Sequence, residues 1–460
     1  MSSTRTQSIE LSNISHRSQQ PEEDHVQLNE SSLAPVDRGF DAWSFLLAAF
    51  VVEGVVWGFP DSFGVFLDSY LYDPKFMNQP HASSLLPLIG PLSSGMIFCS
   101  GPLIFPINIR YPYYRRTMMW IGVFLCGASL FGASFATKVP VLIGLQGILY
   151  AIGGSLLYAP CISYMTEWFV MRRGLASGVI FAGTSAGGLI LPLVLPTLIS
   201  RYGSAKALRI ISIVLTTILI PIVASVKPRL PESRNRAQIM PPRSRDWMSS
   251  TTFWVLLAVN TVQGLGYFVP VVWLPTFAHE MNLSSTSSSL AVALLNGASL
   301  LSRLSLGYLA DRLNPWLLAL STLTSTSIAT FILWGLLSRN LAGLISFGIA
   351  YGVLAGGWSS LWTGLIAPIA KEDPNLVTYL IGYLMLSRGV GNILCTPISS
   401  TLAAASQSAV GKVTTGFQVA GGRFESMILY VGSCFAGAAG VALLGWALDA
   451  RAGRARSRAS

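Results

Sequence analysis

The chain has 460 residues, of which 52% are hydrophobic and only 11% charged, with a net charge of +10. Soluble domains carry about 25% charged residues, so a wholly water-facing surface is excluded and a lipid-facing one is implied. The basic excess does not mark a nucleic-acid binder, because Lys and Arg fall in short segments between apolar spans.

Residues 1–41 are rich in Ser, Gln, Asn and Glu, lack an apolar core and read as a disordered cytosolic tail. No apolar h-region opens the chain, so the first apolar span is expected to act as a signal anchor rather than a cleaved signal peptide. Hydropathy then gives twelve spans, at about 42–67, 84–107, 117–136, 140–164, 174–198, 205–226, 253–277, 288–310, 316–338, 341–367, 378–403 and 425–449. Each is about 20 residues or longer, the length a helix needs to cross about 30 Å of hydrocarbon. An all-α polytopic membrane protein is therefore expected.

With the N-terminus in the cytoplasm, 20 Lys and Arg residues fall inside and 7 outside, while Arg209, Arg303 and Arg388 lie within spans. That bias places both termini inside. Trp43, Trp120, Trp254, Trp273, Trp316 and Trp334 sit at span ends, where amphipathic rings favour the interface. The basic, Pro-rich segment 227–252 divides the spans into six (42–226) and six (253–449), and a basic tail closes the chain at 450–460.

The two sets look related. YAIGG (150–154) in the fourth span parallels YGVLAGG (351–357) in the tenth. AGGLILP (186–192) parallels GVGNILCTP (389–397), and GFPDSFGVF (58–66) parallels GYFVPVVWLP (266–275). Cys99, Cys126, Cys161, Cys395 and Cys434 lie inside spans without paired spacing, so neither disulfides nor a metal site is expected. His16, His25, His81 and His279 lie outside the apolar interiors. No catalytic set, cofactor motif or nucleotide loop appears, which argues against an enzyme or an ATP-driven pump. Sequons at Asn13 and Asn29 fall in the tail and that at Asn282 lies close to the membrane, so glycosylation is not expected.

Two pseudo-symmetric six-helix bundles with inside termini resemble the major facilitator superfamily. In that architecture the substrate sits near the bilayer midplane between the halves, and access alternates. Three stretches resemble more narrowly its monocarboxylate transporters, fungal members in particular: DRGFDAW (37–43), WGFPDSFGVF (57–66) and EWFVMRRGLASGVIFAGTSAGG (167–188). The first departs from the family pattern at Arg38 and Asp41. The resemblance implies that Arg303, in the eighth span, holds a substrate carboxylate. Animal members carry a proton-handling Asp one turn earlier and a Lys in the first span; here those positions are Ser299 and Asp61. The anion anchor is thus kept while both proton-coupling residues differ. GYLADR (307–312) matches the superfamily's Gly-x-x-x-Asp-Arg loop, which implies gating for Asp311 and Arg312.

An Arg at bilayer depth costs at least about 2.5–3.5 kcal/mol and normally faces a wet or protein-lined interior. The planar guanidinium of Arg303 suits an anion. Glu53 and Asp61 share a face of the first span and are the candidate proton carriers. Either is expected to pair with Arg303 when the site is empty. Asn260, Gln263 and Tyr267 follow one face of the seventh span, Asn296 shares a face with Arg303, and Trp358 lies deep in the tenth, so these join Arg303 as candidate substrate contacts. Arg388, Asn392, Arg172 and Arg173 are expected to brace or gate. The expected protein is a secondary carrier of a small organic anion or related metabolite, coupled to protons, in the plasma membrane or an internal one such as the vacuole's. Efflux of a fungal specialised metabolite is the alternative, and a non-transporting sensor is the alternative of another class.

Overall fold

The computed structural model describes residues 33–230, 246–370, 373–408, 417 and 419–459. Most of the expected tail, the Arg-rich stretch 231–245 and the sequons at Asn13 and Asn29 lie outside these residues. Among the described residues every regular element is helical.

Ten helices are long and apolar enough to cross a bilayer. Nine are single spans: α1 Phe40–Tyr72, α2 Leu86–Arg110, α3 Pro112–Ala133, α4 Val139–Trp168, α7 Thr251–Glu280, α8 Ser287–Ala310, α9 Pro315–Leu337, α10 Leu341–Ala370 and α12, which begins at Glu425. The tenth, Arg173–Ser225, has 53 residues, about 80 Å at 1.5 Å per residue and too long for one crossing. It breaks at Gly203, whose φ of 78° glycine adopts without strain. The arms are α5 (173–202) and α6 (204–225). Helix α11, Pro374–Ser408, which is not one of those ten, takes the place of the remaining expected span. Two boundaries shift. Helix α1 starts at Phe40, inside the segment assigned to the tail, and α12 continues helically to Ala459 through the segment assigned to the C-terminal tail.

The spans form two six-helix bundles. Across their interface α5 packs on α8, and α2 packs on α11. The repeat seen in the sequence has a physical counterpart. Tyr150 Oη of α4 donates to Val55 O and Val56 O of α1 at 2.9 and 3.1 Å. Its repeat partner, Tyr351 of α10, donates to Tyr267 O of α7 at 3.0 Å. Each bundle thus ties its first and fourth helices with the same hydroxyl.

Large apolar side chains face outward, as a hydrocarbon solvent permits. On α8, Leu301 is 62% exposed, whereas Arg303, two residues on, is 7% exposed. At 100° per residue that contrast fixes the guanidinium toward the protein interior.

Two irregularities position polar groups. Pro60 lacks an N–H, and α1 breaks at Ser62, beside Asp61. Helix α10 loses its α-helical run after Ala355, passes through a 3₁₀ turn at Trp358–Leu361 and resumes at Trp362. The break leaves the Gly356 carbonyl available to another partner.

Candidate transport site

A cavity lies between the bundles. It offers about 50 Å³ to the centres of water molecules, room for several waters at about 10–15 Å³ each. Helix α1 contributes Glu53, Trp57 and Asp61, one turn apart on a single face. Opposite them stand Arg303 of α8 and Arg388 of α11, with Asn296 of α8 and Tyr267 of α7 nearby. The remaining wall is largely aromatic, with Phe98, Tyr158, Phe181, Phe268 and Trp362.

Arg303 does not pair with Glu53 or Asp61 as expected. Its Nε donates to Gly356 O at 3.1 Å and its Nη1 to Phe181 O at 2.6 Å. These carbonyls belong to α10 and α5, so the side chain bridges the two bundles. Among the described residues the ion pairs are Arg115–Glu167 at 2.5 Å and Arg423–Glu280, both outside the cavity. The acids of α1 and the bases of α8 and α11 therefore face one cavity without neutralising one another by direct contact. Glu53 instead accepts a bond from Thr184 Oγ1 of α5 at 3.2 Å.

Arg388, expected as a brace, borders the cavity. Its Nη1 donates to Gln263 Oε1 at 2.6 Å, and its guanidinium carbon lies 4.6 Å from the Tyr267 ring centre and 5.2 Å from that of Phe268. Gln263 thus serves Arg388 and is not on the cavity wall. Asn260 and Trp358 also lie off the wall, because they are consumed within the second bundle. Asn260 Nδ2 donates to Leu384 O and Ser387 Oγ of α11, and its Oδ1 accepts from Trp358 Nε1 at 2.7 Å and Trp362 Nε1 at 3.0 Å. Of the two indoles held by Asn260, Trp362, on the far side of the α10 break, is the one that reaches the cavity. Ser299, one turn before Arg303, bonds its own helix at Leu295 O and packs against the α10 break.

The sequence reading missed Trp57, Tyr158 and Thr184. Trp57 was accessible, since it lies midway between Glu53 and Asp61 on the same helical face. The positions of Tyr158 and Thr184 depend on how α4 and α5 turn toward α1, which no local pattern encodes.

Of the residues expected to brace or gate, Asp311, Arg312, Arg172 and Arg173 lie where the chain enters α1 and where α5 begins, here called the terminal face. The Asp311 carboxylate accepts from Gly174 N at 2.7 Å and Leu175 N at 2.8 Å, so the end of α8 caps the start of α5 in the other bundle. Burial raises the Asp311 carboxyl above its ordinary range, and the two amides oppose that shift. Asp37 of the DRGFDAW stretch accepts from the Val170, Met171 and Arg172 amides just before α5. Arg172 contributes its backbone there, and Arg173 Nε donates to Phe169 O. Arg312 lies over the Tyr308 ring, 4.2 Å from its centre. Asn392 Nδ2 donates to Ser94 Oγ across the α2–α11 interface at 2.7 Å, and Asn296 Nδ2 to Gly188 O across α5–α8 at 3.1 Å. Ser177 with Thr363, and Thr166 with Thr378, add contacts of 3.3 Å nearer the terminal face. Bonds of this kind hold the bundles together from the midplane to the terminal face.

Two six-helix membrane bundles around a central charged cavity define a carrier of the alternating-access class. The chain belongs to the Major Facilitator Superfamily, whose family model matches residues 46–396, and it is an MFS transporter. The MFS transporter asaE of Aspergillus flavus is 28% identical over 398 residues, covering 85% of this chain and 86% of its own. The aspyridones efflux protein apdF of Emericella nidulans is 28% identical, covering 80% of this chain and 72% of its own. The fujikurins efflux protein of Gibberella fujikuroi is 27% identical, covering 80% and 77%. Among solved structures, the MFS proton:xylose symporter XylE bound to 6-bromo-6-deoxy-D-glucose superposes with a TM-score of 0.64 at 15% identity, covering 86% of this chain and 94% of its own, a likeness of fold.

Proposed function

We propose that this chain exports an organic acid across the plasma membrane by alternating access, driven by the proton gradient, with Arg303 as the acid's anchor. The observation that carries this reading is the cavity's charge pattern, in which Arg303 and Arg388 face Glu53 and Asp61 with no direct ion pair to quench them. A guest anion completes the coordination of a guanidinium already oriented by two carbonyls. The aromatic wall favours a ring-bearing guest over a short monocarboxylate. The similarity to relatives named as efflux proteins for aspyridones and for fujikurins supports the outward direction.

Glu53 and Asp61 are the proposed proton carriers. Ser299, one turn before Arg303, carries no titratable group and bonds its own helix, which leaves the acids of α1 as the cavity's proton-carrying candidates. Lys and Arg bias orients the terminal face to the cytoplasm, and 227–252 is the proposed link between bundles that rock as units. Purified protein in vesicles with an imposed pH gradient tests the reading. Expected is saturable uptake of an aromatic carboxylate that collapses when a protonophore is added. Uptake that ignores the protonophore overturns the coupling, and binding unaffected by Arg303→Ala overturns the anchor.

A further inference from the structure

Arg388 is a buried charge without a carboxylate. Among the described residues no acid lies within ion-pair reach of it, although a buried charge is normally paired. Its guanidinium carbon stands 4.6 Å from the Tyr267 ring centre and 6.0 Å from that of Phe98, so aromatic rings hold it from α7 and from α2. Gln263 Oε1 takes its Nη1. Nε and Nη2, the side-on edge, have no partner among the described residues, and neither is sealed off from the cavity that the side chain borders. Such an edge matches the two oxygens of one carboxylate. Arg303 is engaged differently, with Nε and Nη1 on carbonyls and Nη2 left for a guest.

The two guanidinium groups reach the cavity from different crossings of the bundle interface. Arg303 bonds α5 at the α5–α8 crossing, and Arg388 lies against Phe98 at the α2–α11 crossing. Each crossing also carries an Asn of the second bundle, Asn296 to Gly188 O and Asn392 to Ser94 Oγ. The two charges are close enough to act on one another and on Asp61. When Glu53 and Asp61 hold protons, both guanidinium charges are left for the guest, and two negative charges balance them. We infer that Arg388 is a second anion anchor, and that the cargo is a ring-bearing diacid whose acidic groups meet Arg388 and Arg303 separately. The inference rests on the organic-acid carrier reading and adds the substrate class. A monoacid leaves one guanidinium unmatched.

The three benzenedicarboxylates and their monomethyl esters separate these cases, because each ester keeps the ring and the span and loses one charge. Binding is measured by calorimetry on the full chain in lipid nanodiscs. The isomer whose acids match the span is expected to bind about ten- to a hundredfold more tightly than its ester. Arg388→Gln should bring that ratio toward one. Gln263→Glu offers Arg388 a carboxylate from within the bundle and should do the same. Its melting temperature should hold or rise, which separates a quenched anchor from a damaged fold. A ratio near one for all three isomers in the parent protein, or a ratio unmoved in both variants, overturns the second anchor. If Arg303→Ala still weakens the esters in that case, the carrier reading stands without it. If no acid or ester binds the parent, the carrier reading fails, and the second anchor with it.

Discussion

Arg303 commits donors to Phe181 O and Gly356 O, carbonyls from opposite bundles. Lysine has a single ammonium on a flexible stem and cannot hold both while presenting a flat edge to a guest. Arg303→Lys is therefore expected to weaken binding of an aromatic carboxylate by about ten- to a hundredfold, from the roughly 1.5–3 kcal/mol of a charged hydrogen bond. Titration calorimetry on the two proteins measures it. Asn260 predicts the opposite signature. It satisfies two indole N–H groups and ties α7 to α11. Asn260→Ala leaves both indoles unpaired, at about 1–3 kcal/mol for each buried group. Its melting temperature in detergent should drop by several degrees, and a variant as stable as the parent would contradict the network.

At the scale of elements, the α5–α8 crossing sets how closely the bundles meet. A Cβ on Gly178 would lie 2.6 Å from Arg303 O, so only glycine allows this approach. Gly178→Val should push the helices apart at a cost of about 1–3 kcal/mol, read as a lower melting temperature and slower transport together. The same glycine-rich stretch packs Gly183 and Gly187 against α1 within its own bundle. It therefore serves static packing on one side and the moving interface on the other. Asp311 acts at the end of that interface. Asp311→Asn removes the charge at the α5 N-terminus, worth about 0.3–1 kcal/mol. It should shift the closed terminal face toward open by about two- to fivefold. Spin labels at the exposed positions 171 and 313 would report it as a larger population of long distances.

For the whole molecule, transport requires that charge move through the cavity without being trapped. The separation of Glu53 and Asp61 from Arg303 and Arg388 meets that requirement, since a tight buried ion pair would hold the bundles in one state. If Glu53 carries the proton, Glu53→Gln should abolish uphill uptake driven by a pH gradient while retaining exchange of labelled for unlabelled substrate. Uphill uptake that survives in the variant would remove Glu53 from the coupling and leave Asp61.

Hydropathy determined the twelve spans, because crossing hydrocarbon imposes a length and a polarity that a linear string displays directly. The repeat was equally legible, since Tyr150 and Tyr351 hold matching places and make matching bonds. Arg303 stood out for the same reason, as a charge that lipid would not tolerate. Its partners did not, because backbone carbonyls carry no sequence signal and the Gly356 carbonyl is freed only by the α10 break. Tertiary structure alone decided that Arg388 reaches the cavity while Gln263, Asn260 and Trp358 stand behind it. Those positions depend on how helices turn against one another, and a helix's rotation about its axis is fixed by packing against neighbours distant in the chain.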